Sequence, residues 1–130
     1  MAELADARAV ASGLPDTVEE TGGFGFGVTH RGKVKGFVWT WLERVDPKKA
    51  RVPNPSVLGV RVAGEADKQM LIAADPEKFF TEAHYNGFPA VLVRLAAIDV
   101  EELRELLTDA WRCQAPKDLV RRFDGEHSGR

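Results

Sequence analysis

A chain of 130 residues with 44% apolar and 29% charged side chains has the size and make-up of one soluble domain, and at this length it buries enough surface to need no disulfide or metal staple. Its net charge of −2 argues against strong non-specific nucleic-acid binding by the molecule as a whole. No apolar run approaches a bilayer span, the acidic start Met1-Ala2-Glu3-Leu4-Ala5-Asp6 lacks the basic region of a signal peptide, and the single cysteine, Cys113, excludes an internal disulfide, so a cytoplasmic protein without a membrane segment is expected.

Residues 3–12 read as a first helix, with Leu4, Ala7, Ala11 and Leu14 along one face and Gly13 and Pro15 ending it. Residues 15–23 read as a connector. Phe24, Phe26 and Val28 alternate with glycines in a first strand, and Arg31-Gly32 makes a tight turn into a second strand, Lys33 to Trp41. Strict alternation there puts Phe37, Trp39 and Trp41 on one face and Val34, Gly36 and Val38 on the other. Asp46 to Ser56, with three prolines and three Lys/Arg, reads as a surface loop.

Val57 to Val62 is a third strand, with Leu58, Val60 and Val62 sharing a face, and Glu65 to Ala74 a short helix that ends at Asp75-Pro76. Phe79-Phe80-Thr81 gives a brief fourth strand and Phe88 to Leu95 a fifth. The third helix, Val100 to Cys113, is the most strongly marked element. Asp99 and Glu102 have the spacing of a capping box, Val100, Leu103, Leu107, Ala110 and Trp111 form one stripe, and Pro116 stops the helix. Residues 1–123 form one domain in this reading, and residues 124–130 form a frayed tail. The fold class is α+β, in two layers: an antiparallel sheet with helices packed on one face, in the order α-β(3)-α-β(2)-α.

Charge is unevenly spread. His30 to Arg51 holds seven Lys/Arg against two acids, a local +5 that leaves −7 for the remainder. The six cations singled out as DNA-contact candidates are Arg31, Lys33 and Lys35 on the hairpin, with Lys48, Lys49 and Arg51 on the loop beside them. A second basic cluster comprises Arg112, Lys117, Arg121 and Arg122.

Several runs resemble the bacterial MmcQ/YjbR-like family: Asp75-Pro76-Glu77-Lys78-Phe79-Phe80, Pro89-Ala90-Val91-Leu92-Val93-Arg94-Leu95, Val100 to Leu107, Ala110-Trp111-Arg112 and Ala115-Pro116-Lys117. The likeness runs from about Leu4 to Phe123 as many modest matches. It implies the same α-β(3)-α-β(2)-α fold. It also implies the family's DNA-binding label, which follows from a fold similar to the double-wing domain of a phage transcription factor. The glycine-rich first strand and the long basic proline loop depart from the usual family pattern.

Other sites have plainer explanations. Gly23, Gly25 and Gly27 lack the preceding strand and following helix of a dinucleotide loop, and fit close backbone approach or a bulge instead. His30, His84 and His127 are far apart and lack metal-ligand spacing. His84 beside Tyr85 has the residue types for acid–base work, and Cys113 beside Arg112 those for a reactive thiol, but a solvated turn and a packing cysteine are the more frequent explanations of such residues, and neither points to an enzyme. Phe37, Trp39 and Trp41 beside Lys33 and Lys35 make either a base-stacking platform or core, and core is preferred. The chain is therefore read as a non-enzyme with no cofactor and no metal. Its expected partner is DNA, held weakly and salt-sensitively at the phosphates, with a protein-interaction module using a sheet face or edge as the alternative.

Overall fold

The computed structural model describes residues 1–127. The sheet is built from six antiparallel strands in the spatial order β1-β2-β3-β4-β6-β5: β1 Thr17–Glu19, β2 Gly25–His30, β3 Lys33–Glu43, β4 Val52–Arg61, β5 Phe79–Phe80 and β6 Ala90–Arg94. The helices are α1 Leu4–Ser12, α2 Glu65–Ala74, α3 Val100–Gln114 and α4 Lys117–His127. The architecture is the expected α+β, with α1, α3 and α4 contributing to the main core beside one face of the sheet.

That core joins Ala7 and Val10 of α1, Phe26, Val28, Leu58, Val60, Val91 and Val93 of the sheet, and Leu103, Leu107 and Trp111 of α3. The strand residues come from alternate positions, as the period of two requires, and the α3 residues form the stripe read from the sequence. Asp99 caps α3 by accepting the Glu102 N–H at 2.8 Å. The other half of the expected capping box does not form, because the Glu102 carboxylate accepts from Lys78 Nζ instead and ties the approach to β5 to the helix.

Four readings of the chain need correction. Residues 17–19, taken as connector, form the edge strand β1, paired through Thr17–Val28 and Glu19–Phe26. The proline loop is shorter than expected: β4 begins at Val52 and runs through Pro53 and Pro55, pairing Pro53 with Leu42 and Val52 with Glu43. Only the later half of β4, from Val57, pairs with β6, so the prolines lie where no second ladder needs their amides. Pro116 ends α3 and also opens α4. Its carbonyl accepts the Val120 N–H at 3.0 Å, and the missing proline N–H is no loss at a first turn. Residues 124–127 of the expected frayed tail thus belong to α4, which seats Leu119 in the core with Val120 and Phe123 against it. Residues 128–130 lie outside the described residues.

The fourth correction concerns faces. Phe26 pairs with Val38 and Gly27 with Gly36, which leaves Phe37 as an extra residue in β3. Such a bulge resets the alternation. Phe37 and Val38 both enter the helix-side core, and Trp39 and Trp41 turn to the far face. There they pack with Val57, Phe80, Tyr85, Ala90 and Leu92 in a second, smaller apolar cluster.

Candidate nucleic-acid interface

Arg31 and Gly32 form the two-residue turn between His30 and Lys33, both with positive φ (54° and 79°), the geometry whose twist matches that of the flanking strands. β3 pairs with β4 only from Val38 onward. Its first residues therefore pair with β2 alone, and the hairpin end is a two-stranded ribbon.

Lys35 stands opposite Val28 and Lys33 opposite His30, so both lysines share the helix-side face with those residues. His30 Nδ1 lies 3.0 Å from the Gln114 carbonyl, and Gln114 Nε2 donates to the Gly36 carbonyl at 3.1 Å. These contacts bring the α3–α4 junction, and with it Lys117, up to the lysine face. Arg121 follows one helical turn later on the same side of α4. Arg31, Lys33, Lys35, Lys117 and Arg121 form no ion pair with another described residue. The Glu20 carboxylate lies over Gly25 and Gly36, on the opposite side of the ribbon from the lysines.

The loop cations are elsewhere. β3 is 11 residues long, so the hairpin turn and the 44–51 loop stand roughly 30 Å apart at its two ends. Lys48, Lys49 and Arg51 are therefore not beside the hairpin, and the six candidates form two groups. In the loop group Arg51 is charge-matched, reaching Glu82 at 3.3 Å and the Leu42 carbonyl at 2.9 Å, while Arg44 and Asp46 bond only the backbone of the lysines, at the Lys49 carbonyl and the Lys48 N–H. In the second basic cluster, Arg112 is held by Asp109 and Asp124, and Arg122 lies 3.9 Å from Asp118.

The remaining candidates have structural roles. The buried Gly27 has no room for a side chain, since a Cβ there would lie 2.5 Å from Val34 Cγ1; this is the close approach that a glycine-rich strand predicts. Trp39 donates its indole N–H to the Tyr85 hydroxyl at 2.9 Å, and Trp41 donates to Glu82 at 3.0 Å. Both rings are thus partly buried and committed to the far-face cluster rather than lined up as an open platform. The Tyr85 hydroxyl is buried, which pushes its pKa up, while His84 is exposed and its backbone N–H binds Glu82. Among the described residues no group of three or more His, Cys, Asp or Glu is placed to hold a metal, and no helix is long and apolar enough to cross a membrane.

Sequence reasoning missed Lys68. It lies in mid-α2, is 1% exposed, and donates to the carbonyls of Tyr85 (2.7 Å) and Phe88 (3.2 Å). Its polar neighbours in sequence, Asp67 and Gln69, give no sign that it turns inward.

The YjbR family model matches residues 12–113. The chain is 39% identical over 131 residues to the uncharacterized proteins Rv2570 of Mycobacterium tuberculosis and Mb2600 of Mycobacterium bovis, covering 95% of this chain and 96% of each relative. Among solved structures it is similar to Deinococcus radiodurans protein DR2400, of the DUF419 domain family. That likeness has a TM-score of 0.65 at 23% identity, over 85% of this chain and 77% of the other.

Proposed function

The chain belongs to the YjbR family, and from that premise we propose that it binds duplex DNA weakly, at the phosphate backbone, through the basic hairpin end, with no catalytic chemistry of its own. The observation that carries this reading is the set of cations without ion pairs among the described residues, Arg31, Lys33 and Lys35, on a ribbon whose lysine face adjoins Lys117. A two-stranded ribbon fits the major groove of B-DNA, and phosphate contacts from its tip position a protein without conferring sequence specificity. The net −5 of the chain outside the three hairpin cations repels the duplex and selects which end approaches. Lys48, Lys49 and Arg51 stay outside this contact because they stand at the other end of β3.

The alternative, a module that holds a partner chain at a sheet edge, rests on β1, which ends the sheet. That edge is three residues long and closes with Glu19, which pairs with Arg8, and Glu20. Short, charged edges resist strand addition, so the DNA reading stands first.

The test is a gel-shift titration of unrelated labelled duplexes at low salt. Three or four phosphate contacts give a slope of log affinity against log salt of about −3. Replacing Arg31, Lys33 and Lys35 together by Gln is expected to abolish binding to every duplex alike, and Lys48→Gln with Lys49→Gln to leave it nearly intact. Equal losses from the two sets would overturn the hairpin assignment. No shift by the native protein at micromolar concentration and about 50 mM salt, where non-specific binders register, would leave the edge-module reading in its place.

A further inference from the structure

The hairpin reading leaves two features unused: the loop cations at the other end of β3, and a cavity on the far face of the sheet. The cavity holds about 200 Å³ and is lined by Trp39, His84, Tyr85 and Phe88. Its rings stand steeply to one another. Trp39 and Phe88 have centroids 6.4 Å apart at 59°, and Tyr85 and Phe88 6.1 Å apart at 76°. Gly59, having no side chain, lets the Trp39 indole lie against the sheet, and the other side of that ring faces the cavity. Phe88 is 43% exposed at the mouth.

Charge decides what such a box holds. Boxes of aromatic rings are receptors for methylated ammonium groups. Here the Arg61 guanidinium lies over the Phe88 ring, 5.7 Å from its centroid, and Lys68 Nζ is bonded to the Tyr85 and Phe88 carbonyls. Neither cation forms an ion pair with a described residue. No carboxylate among the described residues lines the cavity, and Glu82, next to it in the chain, is matched by Arg51. A cationic guest is therefore repelled, whereas a flat ring that carries negative charge with it is not. A nucleobase on its phosphate backbone has this combination, and stacking on aromatic side chains suits any base because each has a π face.

The same face offers a path for the phosphates. Trp41 follows Trp39 along β3 and stands edge-on to Phe80, over which the Arg94 guanidinium lies 4.0 Å from the centroid. The four residues from Trp39 to Glu43 span roughly 13 Å, a few nucleotides at most. Beyond them Lys48 and Lys49 are exposed and form no ion pair with a described residue. On the hairpin side of Trp39 the exposed Glu20, whose carboxylate lies over Gly25 and Gly36, closes the path to a polyanion.

We propose that the far face binds single-stranded nucleic acid, one base held in the cavity against Trp39 and Phe88 and the adjoining phosphates running toward Lys48 and Lys49. The surface is separate from the hairpin, and the proposal holds whether or not the hairpin binds duplex.

The test is fluorescence anisotropy with a labelled oligothymidylate of about ten nucleotides, within the site size of single-strand binders, at about 50 mM salt. An abasic strand of the same length is its control, and thymidine monophosphate and choline are competitors. The oligothymidylate is expected to bind at micromolar concentration, the abasic strand at least about fivefold more weakly. The Trp39 indole N–H resonance should shift on binding and that of Trp111 should not. Phe88→Ala should weaken the oligothymidylate to the level of the abasic strand with circular dichroism unchanged, and Phe88→Tyr should retain binding. Lys48→Gln with Lys49→Gln should weaken both strands. Arg31→Gln, Lys33→Gln and Lys35→Gln together should leave both unchanged, which separates this surface from the duplex site. No binding by the native protein, equal binding of the two strands, choline competing better than the monophosphate, or a monophosphate as tight as the strand would each overturn the assignment.

Discussion

Lys68 Nζ donates to the Tyr85 carbonyl across 2.7 Å, a buried contact between the middle of α2 and the turn that follows β5. With the second bond to Phe88, one ammonium satisfies two carbonyls of a segment that forms a single 3-10 turn at Ala83–Tyr85 before β6. The stem of the lysine fills space that would otherwise be a void beside the sheet.

Lys68→Met keeps most of that stem and removes both bonds. It is expected to lower stability by about 1–3 kcal/mol, the loss of two hydrogen bonds from a charged donor, while the Tyr85 and Phe88 carbonyls keep the backbone N–H groups of Phe88 and Ala90. Urea unfolding of the two proteins measures this. A variant as stable as the native chain would mean that relief from burying the charge offsets the lost bonds, as happens at some buried ion pairs.

Gly59 lies directly under the Trp39 indole. A Cβ built there would stand 2.2 Å from Trp39 Nε1 and 2.6 Å from Cε2. Gly59→Ala must therefore displace the ring, breaking its bond to Tyr85 and disturbing the far-face cluster. The expected loss is about 1–3 kcal/mol, as for an overpacked core. The indole N–H resonance of Trp39 should shift, and that of Trp111 should not; an unmoved Trp39 signal would contradict the packing.

Glu82 provides the pH dependence. Burial alone would raise its pKa, but the His84 amide, the Trp41 indole and the Arg51 guanidinium all bond the carboxylate and hold the pKa below the usual value. A depressed folded-state pKa contributes stability that is complete above the ordinary glutamate range, ~4.3, and is lost as the pH falls through the folded value. Glu82→Gln should therefore destabilise the protein at neutral pH and flatten the acid side of its stability profile. Parallel native and variant profiles between pH 3 and 6 would remove Glu82 from that role.

The elements that were legible in the chain are those whose residues report their own surroundings. α2 begins and ends where Glu65 and Ala74 place it, and α3 was marked by Asp99, by Leu103, Leu107 and Trp111, and by its charge order. The Arg31-Gly32 turn was legible because few residues accept positive φ. β1 was hidden because Val18 is 43% exposed and its three residues bury no face, so the strand exists only through its ladder to β2. The bulge at Phe37 was hidden for a related reason: nothing local distinguishes a residue that faces the core in sequence with its neighbour from one that alternates with it. α4 has a signal in the helical spacing of Leu119, Val120 and Phe123, masked because Pro116 reads as a helix stop as readily as a helix start. At the candidate interface, the residue types were readable and their placement was not. Composition counts Lys33 and Lys48 in one basic run, and only the length of β3 separates them.

The three tryptophans each give the indole N–H to a different acceptor: Trp39 to the Tyr85 hydroxyl, Trp41 to the Glu82 carboxylate and Trp111 to the Pro15 carbonyl. Trp111 is in the helix-side core and the other two are on the far face. The chain thus carries built-in optical probes on both sides of its sheet. Intrinsic emission from variants that keep one tryptophan at a time reports each layer separately, so loosening of the far-face aromatic cluster can be watched while the packing behind the helices stays intact.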